Sequence, residues 1–175
     1  MIELKAINLH WISEEETERD LCAHGQVLLK IGDRLVSDGK AGDWTVSGVA
    51  YNLLSTLQDD YINGSSYQWI PCCGHDLFFD EETEHITVLG CPYGIEWKIT
   101  CQNNKVIHTF FDGEIIETDR VDWARAIGAF SDQVMNFYQE SKTKEPREED
   151  REVYKRFIEE WQEKREEVGR LMNDR

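Results

Sequence analysis

The sequence predicts one α+β domain: an antiparallel sheet of about six to eight strands, one early helix, and two C-terminal helices packed on the sheet. Three observations carry this prediction. Ile95-Glu96-Trp97-Lys98-Ile99-Thr100-Cys101 alternates apolar and polar residues, the period of a strand with one buried face. Val46, Val49, Ala50, Leu53, Leu54 and Leu57 recur at helical spacing, and so do Trp123, Ala126, Ile127, Phe130, Val134, Phe137 and Tyr138. A chain of 175 residues suits a single hydrophobic core. It divides into an α+β core region, 1–141, and a connector with the C-terminal helix, 142–175, packed on the same domain.

The elements follow in order. Residues 2–11 alternate, with a phase slip at Ala6-Ile7 that predicts a strand carrying a bulge. The acidic stretch 13–20 reads as a solvated loop. Gln26–Ile31 and Arg34–Val36 read as strands joined by a turn at Gly32-Asp33, and 37–43 is a loop by composition. The first helix begins near Val46, with Asp43 or Thr45 placed to cap it. Tyr67–Cys72, Leu77–Phe79 and His85–Leu89 read as separate short strands before the strand at 95–101.

Asn103-Asn104 tolerates the positive φ of a tight turn. That turn sets Cys101 opposite Val106, Ile99 opposite His108 and Trp97 opposite Phe110, so apolar residues meet on one face. Asp112-Gly113 predicts the next hairpin, with Phe110 opposite Ile115 and His108 opposite Glu117. His108 is then a core-rim histidine near a carboxylate. Thr118 or Asp119 can cap the second helix, and a third runs from about Glu148 towards Met172, after Pro146.

The chain holds 19 basic and 35 acidic residues, a formal charge of -16. A nucleic-acid or membrane partner is therefore not expected, since both need a basic footprint. Most of the excess lies in residues 1–141, in clusters at expected loops and turns: 14–20, 59–60, 76–84 and 112–122. Such an acidic surface steers basic proteins, so the expected partner is a basic protein. No apolar run reaches the length of a membrane span, and the N-terminus lacks a signal-peptide layout, so a cytoplasmic location is expected.

Five cysteines, an odd number, argue against a disulfide framework. Cys72, Cys73, His75 and Cys91 form an alternative zinc-ligand set, for a zinc-dependent enzyme or a zinc-stabilised module. In an extended segment adjacent Cys72 and Cys73 point to opposite faces, which would leave Cys73, His75 and Cys91 sharing one side without an evident fourth ligand. Phosphate-binding glycine loops, zinc-protease and serine-hydrolase motifs are not in the sequence, so no catalytic residue is assigned and no cofactor is expected.

Pro71-Cys72-Cys73-Gly74-His75, Gly90–Trp97 and Phe130–Tyr138 resemble segments of small acidic proteins of Bacillus-type bacteria. In size, acidity, tryptophan content and α+β pattern the chain is also similar to immunity proteins that neutralise polymorphic toxins. The resemblance implies a non-catalytic, stoichiometric binding or inhibitory protein. The expected aromatic anchors for a basic partner are Trp11, Tyr61 and Trp69, with Glu14, Glu15, Glu16, Asp80, Glu81 and Glu82 as steering acids.

Overall fold

A computed structural model describes residues 1–13, 15–58, 67–81 and 84–173, the side chains of 67, 73–75 and 89–90 excepted. The alternating segments form strands β1 (Ile2–His10), β2 (His24–Ile31), β3 (Arg34–Asp38) and β4 (Trp44–Thr45), followed by helix α1 (Val46–Ser55). Strands β5 (Tyr67–Asp80), β6 (His85–Gln102), β7 (Lys105–Thr109) and β8 (Ile115–Asp119) precede α2 (Arg120–Glu140) and α3 (Arg151–Asn173). All pairings are antiparallel, in the order β1-β2-β4-β5-β6-β7-β8, with β3 also paired to β2. The molecule is thus α+β, with one early helix and two C-terminal ones. No described helix is long and apolar enough to cross a membrane.

The predicted bulge in β1 is present, displaced from Ala6-Ile7. The register with β2 slips between Ile7 and His10, where Asn8 adopts φ 51°. Gly25 lies opposite this kink. A Cβ there would stand 2.8 Å from the carbonyl oxygen of Ile7, so the close approach of the two backbones requires glycine. The segments read as short strands at 67–72 and 77–79 are one strand, β5, and β6 likewise runs unbroken through Gly90-Cys91-Pro92. The chain absorbs these irregular residues as register slips instead of ending the strands.

The β6–β7 pairing follows the expected register, with Ile99 opposite His108, Cys101 opposite Val106, and Asn103 at φ 53°. Trp97 and Phe110 lie beyond that ladder and stack with ring centroids 6.0 Å apart. The β7–β8 hairpin differs by one residue. Thr109 faces Ile115, His108 faces Ile116 and Ile107 faces Glu117. The Phe110 amide bonds Glu114 O at 2.9 Å, the Gly113 amide bonds Phe110 O at 3.0 Å, and Gly113 has φ 87°. This is a three-residue loop closing on a left-handed glycine, and the extra residue turns Glu117 away from the core.

All three helices pack on one face of the curled sheet. Asp119 caps α2, its carboxylate accepting from the amides of Val121 and Asp122, whereas Thr45 at the head of α1 makes no side-chain cap bond. On α2, Gln133 accepts the Ala6 amide at 3.1 Å and donates to the Ala6 carbonyl at 2.7 Å. Its amide thereby stands in for a neighbouring strand at the exposed edge of β1. Glu160 docks α3: it accepts Tyr51 OH of α1 at 2.5 Å, Arg156 Nε at 2.8 Å and the Ile86 amide of β6 at 3.3 Å.

The core centres on tryptophans. The Trp69 indole donates to Trp97 O (2.6 Å), Trp97 to His108 Nδ1 (3.2 Å), Trp123 to Thr56 Oγ1 (2.9 Å) and Trp161 to Ser131 Oγ (2.7 Å). The Thr56 hydroxyl in turn donates to Leu53 O at 2.7 Å. Thr56→Val keeps the volume but leaves the Trp123 N–H buried without an acceptor, so the unfolding free energy should fall by about 1–3 kcal/mol in urea titrations at pH 7.5.

Burial raises the Glu160 pKa, but the bonds from Tyr51, Arg156 and the Ile86 amide, with Lys164 nearby, outweigh it and hold it below the ordinary 4.5. Its contribution is therefore present above pH 4.5 and lost as pH falls through the folded value. Glu160→Gln should lower stability at pH 7 and reduce the loss of stability between pH 4.5 and pH 3, read by thermal melts across that range.

Candidate functional site

Two of the expected anchors lie inside the protein. Trp11 is 8% exposed, donates its indole N–H to Ser141 Oγ at 2.9 Å, and carries the Lys144 ammonium 3.5 Å over its ring. Trp69 is 1% exposed, beneath Trp97. Neither can reach a partner's surface, because each ring is buried, with its indole N–H bonded inside the protein. Tyr61, Glu14 and Glu82 lie outside the described residues, as do Asp59 and Asp60. Glu15 and Glu81 are exposed and Glu16 and Asp80 half-buried, but they occupy separate elements, the 11–23 loop and the tip of the β5–β6 hairpin.

The described acids do not collect on one element, and several carry their own cations: Glu18 with Arg147, Asp122 with Arg125, and Asp112 and Glu114 with Arg34.

The ladder through the cysteine-rich segment bears on one part of the zinc expectation, the shared face of Cys73 and Cys91. Cys72, not Cys73, is the direct cross-strand partner of Cys91, because the register slips on both sides of Cys72. Among the described residues no group of three or more His, Cys, Asp or Glu side chains is close enough to hold a metal ion. The side chains of Cys73 and His75 lie outside the described set.

The large apolar residues that do reach solvent include Leu35 (56% exposed), Phe111 (75%) and Ile115 (62%), and one ionic clasp brings their segments together. Arg34, just after the β2–β3 turn, places Nη1 2.7 Å from Asp112 Oδ2 and 2.5 Å from Glu114 Oε2, both in the β7–β8 turn. Its guanidinium also lies 4.0 Å over the Phe110 ring, which stacks on Trp97. The Arg34 bond holds Asp112 below its ordinary pKa, and Glu114 and Asp112 together raise that of Arg34.

The sheet's curl thus closes where these turns meet, and Phe111 is held out on a turn anchored to the core through Phe110. Leu35 lies opposite Lys30, and Ile115 opposite Thr109 and, one strand on, Lys98. Both therefore sit on the helix-free face of the sheet. The rim is mixed in sign along the strands and acidic at the turns, through Asp33, Asp112 and Glu114.

One sequence signal marked this place. Phe110-Phe111 precedes Asp112-Gly113, and strand alternation can bury only one of two adjacent aromatics. Arg34, by contrast, carries no local signal, since its partners lie 78 and 80 residues away.

His108 has a structural setting. Trp97 can only donate, so His108 Nδ1 accepts and Nε2 carries the proton, given to Thr118 Oγ1 at 3.1 Å. The Trp123 ring meets the imidazole edge-on at 4.7 Å. Glu117, expected beside His108, is on the opposite face. Burial lowers the imidazole pKa from 6.5 to about 4. The neutral ring therefore contributes stability that is complete above pH 6.5 and declines as pH falls towards 4, a loss of about 3 kcal/mol over that window. A ¹⁵N titration of His108 should show the neutral Nε2–H tautomer at pH 6, and a midpoint above 6 would contradict the assignment. Comparison with protein-family models, curated proteins and solved structures returns no match to this chain.

Proposed function

We propose that this chain is a non-catalytic binding and inhibitory protein that presents the Phe111 turn to a basic protein partner, as an immunity protein does when it neutralises a basic toxin. The observation that carries the proposal is the clasped turn itself: an exposed aromatic on a turn fixed by Arg34 through Asp112 and Glu114, with Leu35 and Ile115 exposed on the strands that the clasp joins and Asp33 in the facing turn.

Binding energy at protein interfaces concentrates in a few aromatic or aliphatic anchors, and anchors already fixed in position lose less entropy on docking. Asp33, and the charge that Asp112 and Glu114 keep in excess of Arg34, favour a cationic cleft and hasten encounter with it. The overall charge of -16 acts in the same direction at long range. The resemblance to immunity proteins in size and acidity agrees with this mode of action.

The test is co-expression in a bacterial host with the polypeptide encoded immediately upstream of this chain's reading frame. The expected result is relief of that polypeptide's toxicity and a one-to-one complex whose association rate falls as salt rises. Phe111→Ala should weaken the complex at least tenfold, about 1.4 kcal/mol or more, with the melting temperature unchanged because the side chain is solvent-exposed. No complex, or a complex indifferent to Phe111→Ala and Ile115→Ala, overturns the proposal.

A further inference from the structure

We propose that Cys72 and Cys91 are a redox modification site that forms a reversible cross-strand disulfide between β5 and β6. The ladder pairs the two residues directly, with register slips immediately before and after Cys72. Directly opposed residues of an antiparallel pair have Cα atoms about 4.5–5.5 Å apart and side chains on the same face. A disulfide spans Cα separations of about 4.4–6.8 Å, a range that contains the spacing of directly opposed residues. Both residues are half-buried, which leaves them reachable by a small oxidant, whereas Cys22 is fully buried.

Position adds a consequence. Cys72 also pairs with Trp44 of β4, the two-residue strand through which the β1–β3 part of the sheet joins β5. A covalent link at Cys72 therefore ties β6 to β5 at the residue where β4 joins the sheet, between two register slips.

The chemistry is exchange with a low-molecular-weight disulfide. One protein thiolate attacks a sulfur of that disulfide, forming a mixed disulfide and releasing a small thiolate, which takes up the proton lost by the attacking thiol. The second protein thiol, on losing its proton, displaces the remaining small thiol, which takes up that proton. Two protein thiols are oxidised to one S–S bond, and one small disulfide is reduced to two thiols. An excess of small thiol runs the sequence backwards.

The experiment incubates the folded full chain with oxidised glutathione at neutral pH, alkylates the remaining thiols and measures the intact mass. The expected product has lost two hydrogens, retains three alkylatable cysteines of the five, and returns to five with dithiothreitol. No Lys or Arg lies between Lys40 and Lys98, so trypsin leaves all three cysteines of this region on one peptide; cleavage at glutamate separates 72–73 from 91.

Cys73→Ser and Cys101→Ser should keep the link, and both Cys72→Ser and Cys91→Ser should abolish it. The oxidised protein should melt several degrees higher than the reduced one. A stable glutathione adduct without a link, or a link from Cys73, overturns the proposal. The Cys73→Ser variant decides between the two partners even if Cys72→Ser fails to fold.

Discussion

Taking an indole out of water is favourable for its rings and unfavourable for its N–H unless an acceptor waits at the right place. This chain buries Trp11, Trp69, Trp97, Trp123 and Trp161, and every one of those N–H groups finds its acceptor on a different element. The partners are Ser141 after α2, the backbone of β6, His108 in β7, Thr56 at the end of α1 and Ser131 in α2. Thr56 and Ser141 relay the bond onward to carbonyls within their own helical turns, Leu53 and Phe137. A shift of one residue in any of these elements would orphan an indole, so the same bonds that make burial tolerable also fix the register of sheet and helices. His108 is neutral for this reason: a protonated imidazole would have no lone pair for the Trp97 N–H.

What could be read from the sequence was what depends on near neighbours. The α2 cap at Asp119, the stripe of α1 and the β6–β7 hairpin rest on residues within a turn or a strand of one another. The α2 stripe and the Asn103 turn each state one answer. The β7–β8 register differs from the expected one by a residue because Asp112-Gly113 suits both a two-residue turn and a three-residue loop closed on Gly113, and the choice flips every side chain of β8, Ile115 and Glu117 among them. Strands β5 and β6 looked broken at Cys73-Gly74-His75 and at Gly90–Gly94, since composition there signals turns; pairing along both flanks carries the strands through. Trp11 and Trp69 resembled surface anchors because a tryptophan near acidic loops has the same local appearance inside or outside. Their acceptors lie 130 and 28 residues away.

Closure of the curled sheet follows a similar non-local logic. One edge strand, β1, is covered by the Gln133 amide of α2, and α2 itself begins directly from β8, the other edge. The helix therefore spans the opening that the curl leaves. Beside the same opening, where Gly32 lies against Met1 and Ile116, Arg34 joins the β2–β3 turn to the β7–β8 turn. A single exposed ion pair contributes little to stability, as long side chains lose entropy and water screens the charges. Arg34 differs in that its guanidinium also rests on Phe110, and Phe110 on Trp97, so the charge is positioned by the same tryptophan whose N–H holds His108.

That continuity marks Phe111 among the solvent-facing apolar residues, which also include Met1, Ile12, Leu35, Phe78, Tyr93 and Ile115. An exposed aromatic on a loose loop must be ordered on binding, and much of its contact energy goes into that ordering. Phe111 instead sits between Phe110, stacked into the core, and Asp112, held by Arg34, on a loop whose closing glycine has the one backbone conformation the turn needs. Solvation of a benzyl side chain at such a position is unfavourable in the isolated protein and is relieved when a partner covers it. The same core that makes the fold specific thereby holds an uncovered aromatic in a fixed orientation, and in the function proposed above Asp112 and Glu114 beside it favour a basic partner.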